Sequence, residues 1–216
     1  MHQRFRIANT ELLLLPERAI YWPEQKALLV ADLHLGKSGH FQKHGIPISG
    51  EVHFRDLDVL GTLLQAHSVE RLIFLGDLFH SAYNREWEIF ADFMAEFDCQ
   101  KELIVGNHDR LVAEHYQSAG LQVYRESLRL GNFELRHEPL ADTEFIHDAY
   151  VLCGHIHPGV RLQGAGKQRL RLPCFHFMER QGILPAFGQF TGLAICYPEA
   201  QDHVFVIAEG EVIEIA

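Results

Sequence analysis

Ala27-Leu28-Leu29-Val30-Ala31-Asp32-Leu33-His34 is the stretch from which the fold can be read. Unbroken apolar residues from Ala27 to Ala31 predict a strand buried on both faces, running straight into a carboxylate and an imidazole one residue apart. At a strand end such a pair can turn toward one point above the sheet. The pattern then recurs: Arg71 to Leu75 stops at Gly76-Asp77, and Glu102 to Val105 stops at Gly106-Asn107-His108-Asp109. Between these strands, Glu51 to His67 carries Phe54, Leu57, Val59, Leu60, Leu63 and Leu64 at helical spacing. Asn84 to Phe97 does the same with Trp87, Ile89, Phe90, Phe93 and Met94.

Upstream, Leu12 to Leu15 and Ala19 to Trp22 flank Pro16-Glu17-Arg18 and read as a strand hairpin. Beyond Leu121 the texture is β-rich, with short strands around Val123, Leu128, Phe133 to Arg136, Tyr150 to Cys153, Arg169 to Phe175 and Leu193 to Tyr197, then a terminal hairpin through Glu209-Gly210. With no repeat or linker in view, residues 1–216 read as a single domain of two packed sheets with outer helices.

A chain of 216 residues, 47% of them hydrophobic, can bury one sizeable core. Its 19 basic and 29 acidic residues leave a net charge of −10, opposite to that of a nonspecific polyanion binder, so any nucleic-acid contact must be local or helped by cations. Fifteen histidines against four cysteines point to imidazole and carboxylate metal ligands, which suit manganese, iron or zinc. Cys99, Cys153, Cys174 and Cys196 are scattered without a CxxC pair, which argues against a structural zinc site or a disulfide framework and for a reducing cytoplasm. Leu12 to Leu15 is too short for a signal segment, and no stretch approaches the roughly 20 apolar residues that span a bilayer. The expectation is a cytoplasmic protein with no membrane partner.

The polar clusters form an inventory for two ions. Asp77 follows Gly76, where a sharp turn lets one carboxylate bridge two cations with its two oxygens. Asn107 offers a neutral carbonyl oxygen. His137 follows the strand Phe133 to Arg136, and an extended Gly154-His155-Ile156-His157 would place two imidazoles on one side. Gly36-Lys37-Ser38 is not a phosphate-cradling P-loop, because Ala31 stands where the leading glycine is required. Lys37, His40, Lys43 and His44 form a basic loop beside the first ligands, placed either to meet a substrate phosphate or as an ordinary solvated loop. Arg161, Lys167, Arg169 and Arg171 gather later, as a polyanion path or an exposed hairpin.

In this order, D-x-H, GD, GNHD, a lone H and GHxH resemble the calcineurin-like metallophosphoesterases from Asp32 through His157. The resemblance implies an α/β fold, a four-layer α/β/β/α metallophosphoesterase sandwich with two mixed β-sheets. It also implies that Asp32, His34, Asp77 and His157 hold one divalent ion and that Asp77, Asn107, His137 and His155 hold a second. Two such ions, Mn2+ foremost and Fe or Zn as alternatives, supply a bridging hydroxide near neutral pH and stabilise the phosphoryl oxygens during in-line displacement. His108 adjoins a ligand without being needed as one, so it is the candidate general acid, with Asp109 orienting nearby groups. His80 resembles a histidine of the double-strand-break repair nucleases in this superfamily and takes a secondary catalytic role. Lys37 and Arg161 are the candidate substrate-binding residues.

Further stretches resemble one subgroup, the bacterial DNA ligase-associated metallophosphoesterases: Asp32 to Lys37, Gly76 to Ser81, His137-Glu138-Pro139, Gly154 to Pro158, Arg171 to Phe175 and Leu184 to Gly192. Leu193, where the subgroup tends to show a second glycine, and Phe175-His176-Phe177 depart from its pattern without touching a metal ligand. The subgroup implies a manganese-dependent phosphodiesterase or endonuclease in DNA repair, with single-stranded or damaged DNA as substrate. An ATP-dependent DNA ligase, a helicase and a nuclease-like protein would be its associates. The rivals are a small-molecule enzyme acting on nucleotides or cyclic nucleotides, which the negative charge keeps open, and a non-catalytic binding scaffold, which the complete ligand set disfavours.

Overall fold

The computed structural model describes residues 1–36, 51–141, 148–164, 169–189 and 191–216, with side chains described from Arg55 onward in the first helix. Seven strands form the first sheet in sequential order: β1 (Gln3–Ile7), β2 (Thr10–Leu15), β3 (Ala19–Trp22), β4 (Ala27–Val30), β5 (Arg71–Leu75), β6 (Gln100–Ile104) and β7 (Leu121–Tyr124). β1 to β4 are antiparallel, whereas β4 to β7 are parallel, because α1 (Glu51–Ala66), α2 (Arg85–Ala95) and α3 (Ala113–Ser118) cross between them.

The buried-strand pattern follows from this placement. Leu28, Val30, Leu72 and Phe74 turn toward the helices, where they meet Leu57, Leu60, Trp87, Phe90, Met94 and Tyr116. Ala27, Leu29, Ile73 and Leu75 alternate to the other face and pack into the second sheet with Phe133, Leu135, Leu152, Phe175 and Phe205. Trp22 meets Phe133 edge-on with ring centroids 5.0 Å apart, and Phe5 meets Phe177 at 4.6 Å.

The second sheet is also mixed. Its path runs β14 (Ala194–Ile195), β11 (Pro158–Gln163), β12 (Arg169–Phe177), β13 (Gln181–Ile183), β10 (Tyr150–Cys153), β9 (Phe133–Arg136) and β8 (Ser127–Leu130). β15 (His203–Ala208) pairs with β12 and with β16 (Glu211–Glu214). Two mixed sheets face to face form the expected metallophosphoesterase sandwich, and the described helices all pack on the first sheet. Among the described residues no helix is long and apolar enough to cross a membrane.

Most expected strands stand where the sequence placed them. Leu193 to Tyr197 narrows to Ala194–Ile195, an edge strand that pairs, among the described residues, with β11.

Candidate metal centre

Carboxyl ends of strands from both sheets converge on one edge of the sandwich. Asp32 and His34 follow β4, Asp77 follows β5, Asn107 and His108 follow β6, His137 follows β9, and His155 and His157 follow β10. In open α/β sheets this is the edge where loops are free to build a site. Here the loops are tied together past the strand ends: His34 N–H donates to the Asp77 carbonyl at 2.9 Å, and His80 N–H donates to Leu35 at 2.7 Å. Asp109 carries the lacing to the third loop, accepting from Phe79 N–H and Gly106 N–H, each at 2.9 Å. Burial raises its carboxyl to about 6, although those two donors favour the ionised form. Asp109 thus ties the second and third loops together.

Two three-residue groups of donor atoms result, Asp32 with His34 and His157, and Asp77 with His137 and His155. In the first, His34 Nε2 lies 3.2 Å from His157 Nε2, which is 3.4 Å from Asp32 Oδ1. In the second, His137 Nε2 lies 3.5 Å from Asp77 Oδ1 and 3.1 Å from His155 Nδ1. Asn107 joins the second group through Oδ1, 3.0 Å from His137 Nε2 and 3.1 Å from His155 Nδ1. Asp77 faces both: Oδ1 looks to His137, whereas Oδ2 is 3.9 Å from His34 Nε2 in the first group.

The chemistry of these donors suits cations. His137 Nδ1 lies 2.9 Å from the Leu75 carbonyl, which fixes the proton on that nitrogen and leaves Nε2 as a lone pair. That lone pair points at Asn107 Oδ1 and Asp77 Oδ1, which also accept. Asp32 is fully buried; Oδ2 accepts from His155 N–H at 2.8 Å, and Oδ1 has no hydrogen-bond partner among the described residues. Facing acceptors and an orphaned buried carboxylate oxygen are costly unless a positive charge sits among them. Imidazole, carboxylate and amide oxygen without thiolate match manganese, iron or zinc.

The backbone is bent to make this arrangement. Asp32, His34, Asp77, His155 and His157 all adopt left-handed φ angles, between 50° and 68°. This region costs a non-glycine residue on the order of 1 kcal/mol, and such strain collects at functional sites. The finding corrects the expectation of an extended Gly154 to His157. That segment is kinked, so His155 and His157 serve different groups instead of sharing one side.

His108 sits beside the centre. Its N–H donates to Asp77 Oδ1 at 2.9 Å, and its ring stacks on His80 with centroids 3.9 Å apart. His108 Nδ1 is buried without a hydrogen-bond partner among the described residues. His80 Nδ1 in turn lies 3.5 Å from His34 Nδ1, so the two histidines line one flank of the first group.

The two expected substrate contacts fare differently. Lys37 lies outside the described residues, as do His40, Lys43, His44 and Lys167. Arg161 is exposed on β11, directly opposite Arg171 of β12, and is not among the residues that line the cleft beside the second group. This cleft, of about 600 Å³, is lined by Asn107 and His137 and by Arg125 and Arg136, which sequence reasoning had not singled out. Arg136 could have been noticed as the neighbour of His137, whereas Arg125 enters only through the pairing of β8 with β9.

The late Leu184 to Gly192 stretch also finds its place. Phe187 N–H donates to Ala31 at 2.8 Å and Gly188 N–H to Asp32 at 3.2 Å, so this segment braces the backbone at Asp32. A Cβ at Gly188 would stand 2.5 Å from the Leu33 carbonyl oxygen, which explains the need for glycine in so close a contact.

Comparison with known proteins agrees with this geometry. The family model for calcineurin-like phosphoesterases matches residues 26–180. Among solved structures, the nuclease MPE of Pseudomonas putida is 35% identical over 100% of both chains, with a TM-score of 0.84. Yfce, a phosphoesterase from E. coli, is 12% identical over 88% of this chain and 98% of its own, with a TM-score of 0.45. No curated protein matches. The matched span includes every residue of the two donor groups, and the chain belongs to the calcineurin-like phosphoesterase family.

Proposed function

We propose that the chain is a two-metal phosphodiesterase that cuts DNA, acting as a manganese-dependent endonuclease in DNA repair. The observation that carries the chemistry is the pair of facing donor groups with Asp77 turned to both. The nuclease reading is supported by the full-length likeness to P. putida nuclease MPE, which is consistent with the DNA ligase-associated subgroup.

In this reading Asp32, His34, Asp77 and His157 hold one ion, and Asp77, Asn107, His137 and His155 the other. When bound, the ions supply Lewis-acid activation of water and of the phosphoryl oxygens. The protein's own residues do the rest. Asp77 sets the spacing of the two groups, and the Leu75 carbonyl holds His137 in the tautomer that presents Nε2. His108 hands a proton from Nε2 to the departing oxygen, and His80 positions it by stacking. Arg125 and Arg136 on the cleft wall meet phosphates of the strand, and Lys37 and Arg161 are the further candidate contacts. The proposed setting is the cytoplasm, alongside an ATP-dependent DNA ligase, a helicase and a nuclease-like protein.

Hydrolysis by metal-stripped protein resupplied with manganese tests this directly, with bis-p-nitrophenyl phosphate, p-nitrophenyl phosphate, a cyclic nucleotide and labelled single-stranded DNA compared side by side. Cleavage of diester and DNA that vanishes in Asp77→Asn is expected. His108→Ala should keep its metals and slow turnover by about 10² to 10⁴. Activity confined to the monoester or cyclic nucleotide would replace the nuclease reading with a small-molecule one.

A further inference from the structure

The second sheet holds a reactive-looking group of side chains that phosphoester chemistry leaves unused. Cys174 on β12 and Cys196, just past β14, face each other with Sγ atoms 3.8 Å apart. His176 lies two residues along β12, on the same face as Cys174. Its Nε2 is 2.8 Å from Asp202 Oδ2, and its ring interacts electrostatically with the Cys196 thiol. Asp202 is fixed in turn by accepting from Glu199 N–H at 3.0 Å. Carboxylate, imidazole and thiol therefore stand in series, with a second thiol against the first sulfur. This is the order in which a base oriented by a third group activates a nucleophile.

Burial divides the roles. Cys174, His176 and Asp202 are buried, whereas Cys196 is half-buried and so the member that solvent can reach. Contact with Cys174, aided by His176, lowers the Cys196 thiol below its ordinary range, although Cys196 Sγ can itself donate to the Gly159 carbonyl at 3.4 Å. The same contact, with burial, pushes Cys174 up. Burial pulls the His176 imidazole down, but its contacts with Cys196 and Asp202 outweigh this and raise it. Cys153 and Cys99 lack such company: burial raises both.

We propose that Cys196 is a nucleophilic thiolate that reacts with hydroperoxides, and that Cys174 resolves the product to a Cys174–Cys196 disulfide. In the first step the Cys196 sulfur attacks a peroxide oxygen, the O–O bond breaks, and sulfur is oxidised to the sulfenic acid. The departing hydroxide or alkoxide takes a proton from His176. The Cys174 thiol then attacks the Cys196 sulfur, the S–S bond forms, the S–O bond breaks, and the thiol proton leaves with the hydroxyl as water. The disulfide would lie close to the metal centre, because Cys196 N–H donates to Gly159 and Ala194 N–H donates to the His157 carbonyl.

Hydrogen peroxide titration of the full chain, read by intact mass and peptide mapping without reductant, tests the site independently of any hydrolytic activity. A mass loss of about 2 Da mapped to a Cys174–Cys196 link and reversed by dithiothreitol is expected, with Cys174→Ser giving a dimedone adduct at Cys196 instead. His176→Asn should slow the reaction about tenfold. In the unsubstituted protein, alkylation of Cys196 by iodoacetamide should show a midpoint well below the ordinary thiol value of about 8.5, a readout that needs no variant to fold. Oxidation that leaves the two cysteines unlinked, or an alkylation midpoint at the ordinary value, would overturn the proposal.

Discussion

Asp77 can face both donor groups because of the two glycines beside it. Gly76 turns with φ of 81°, and a Cβ there would lie 2.2 Å from His137 Nδ1; a Cβ at Gly106 would lie 2.3 Å from Asp77 Oδ1. Gly76→Ala should therefore displace His137 while leaving every donor chemically intact. Activity is expected to fall by at least about 10² and stability by about 1 to 3 kcal/mol, read by metal content and denaturant unfolding. A variant with normal metal content and rate would show that the close approach is not needed. Asp56 makes a residue-level prediction of a different kind. It is buried, accepts weakly from Gln189 N–H at 3.4 Å, and burial raises its pKa from 3.8 to about 6 against the opposing pull of Arg18. An unfolded chain gives up this proton near pH 4 and the folded one near pH 6, so stability falls as pH rises between them and stays lowered above. Asp56→Asn should be neutral below about pH 4 and more stable than the parent above pH 6, by about 1 to 2 kcal/mol. Thermal unfolding at both ends of that window checks the sign, and an equal effect at both would remove the titration from the account.

At the scale of elements, α2 is what holds the loop bearing Asp77 and His80 in place. Asn84 caps it by accepting from Glu86 N–H at 2.8 Å and Trp87 N–H at 3.4 Å, and Trp87, Phe90 and Met94 bury its inner face. Trp87 also meets Phe79 edge-on, with centroids 5.3 Å apart, and Phe79 stands between Asp77 and His80. Trp87→Ala should cost about 3 to 5 kcal/mol and lower kcat as well, whereas Trp87→Phe should keep most of both. Loss of stability at unchanged kcat would separate the helix from the loop. Such elements were legible because each satisfies a local pattern: Arg71–Leu75, Phe133–Arg136 and Tyr150–Cys153 are found at the bounds the apolar runs predict. β1 escaped because Gln3–Ile7 is an edge strand whose alternate residues are exposed, which leaves no continuous apolar run to mark it. β13 escaped because its three residues gain a strand conformation only from β10 and β12 on either side. The residues of the two donor groups were legible for the opposite reason, since few contexts other than a metal site place so many polar groups directly after buried strands. Arg125 and the Cys174–Cys196 pair were not, because long-range pairing alone creates their neighbours.

Across the whole molecule, each donor group takes residues from both sheets. Asp32 and His34 meet His157 across the sandwich, and Asp77 meets His137 and His155. The sheets are already packed through Trp22, Phe133, Phe5 and Phe177, but their site edge brings together buried acceptors, and Asp32 Oδ1 has no hydrogen-bond partner among the described residues. A cation bound to each group would thus clamp one sheet to the other and remove the electrostatic cost of that edge. Because such ions bind the folded chain in preference to the unfolded one, saturation at a hundredfold over Kd adds about 2.7 kcal/mol per site. Chelation should accordingly lower Tm by several degrees, and manganese should restore it in a concentration-dependent way. Amide exchange should localise the loosening to Asp32–Leu35 and Gly154–His157, leaving the helix-covered strands β5 and β6 protected. Asp77→Asn, which weakens both groups at once, should blunt the Tm response more than Asn107→Ala, which touches one. An unchanged Tm in protein shown by mass spectrometry to have gained two ions would mean that the sheets meet at this edge unaided, with the strain of five left-handed residues carried by the apolar core alone.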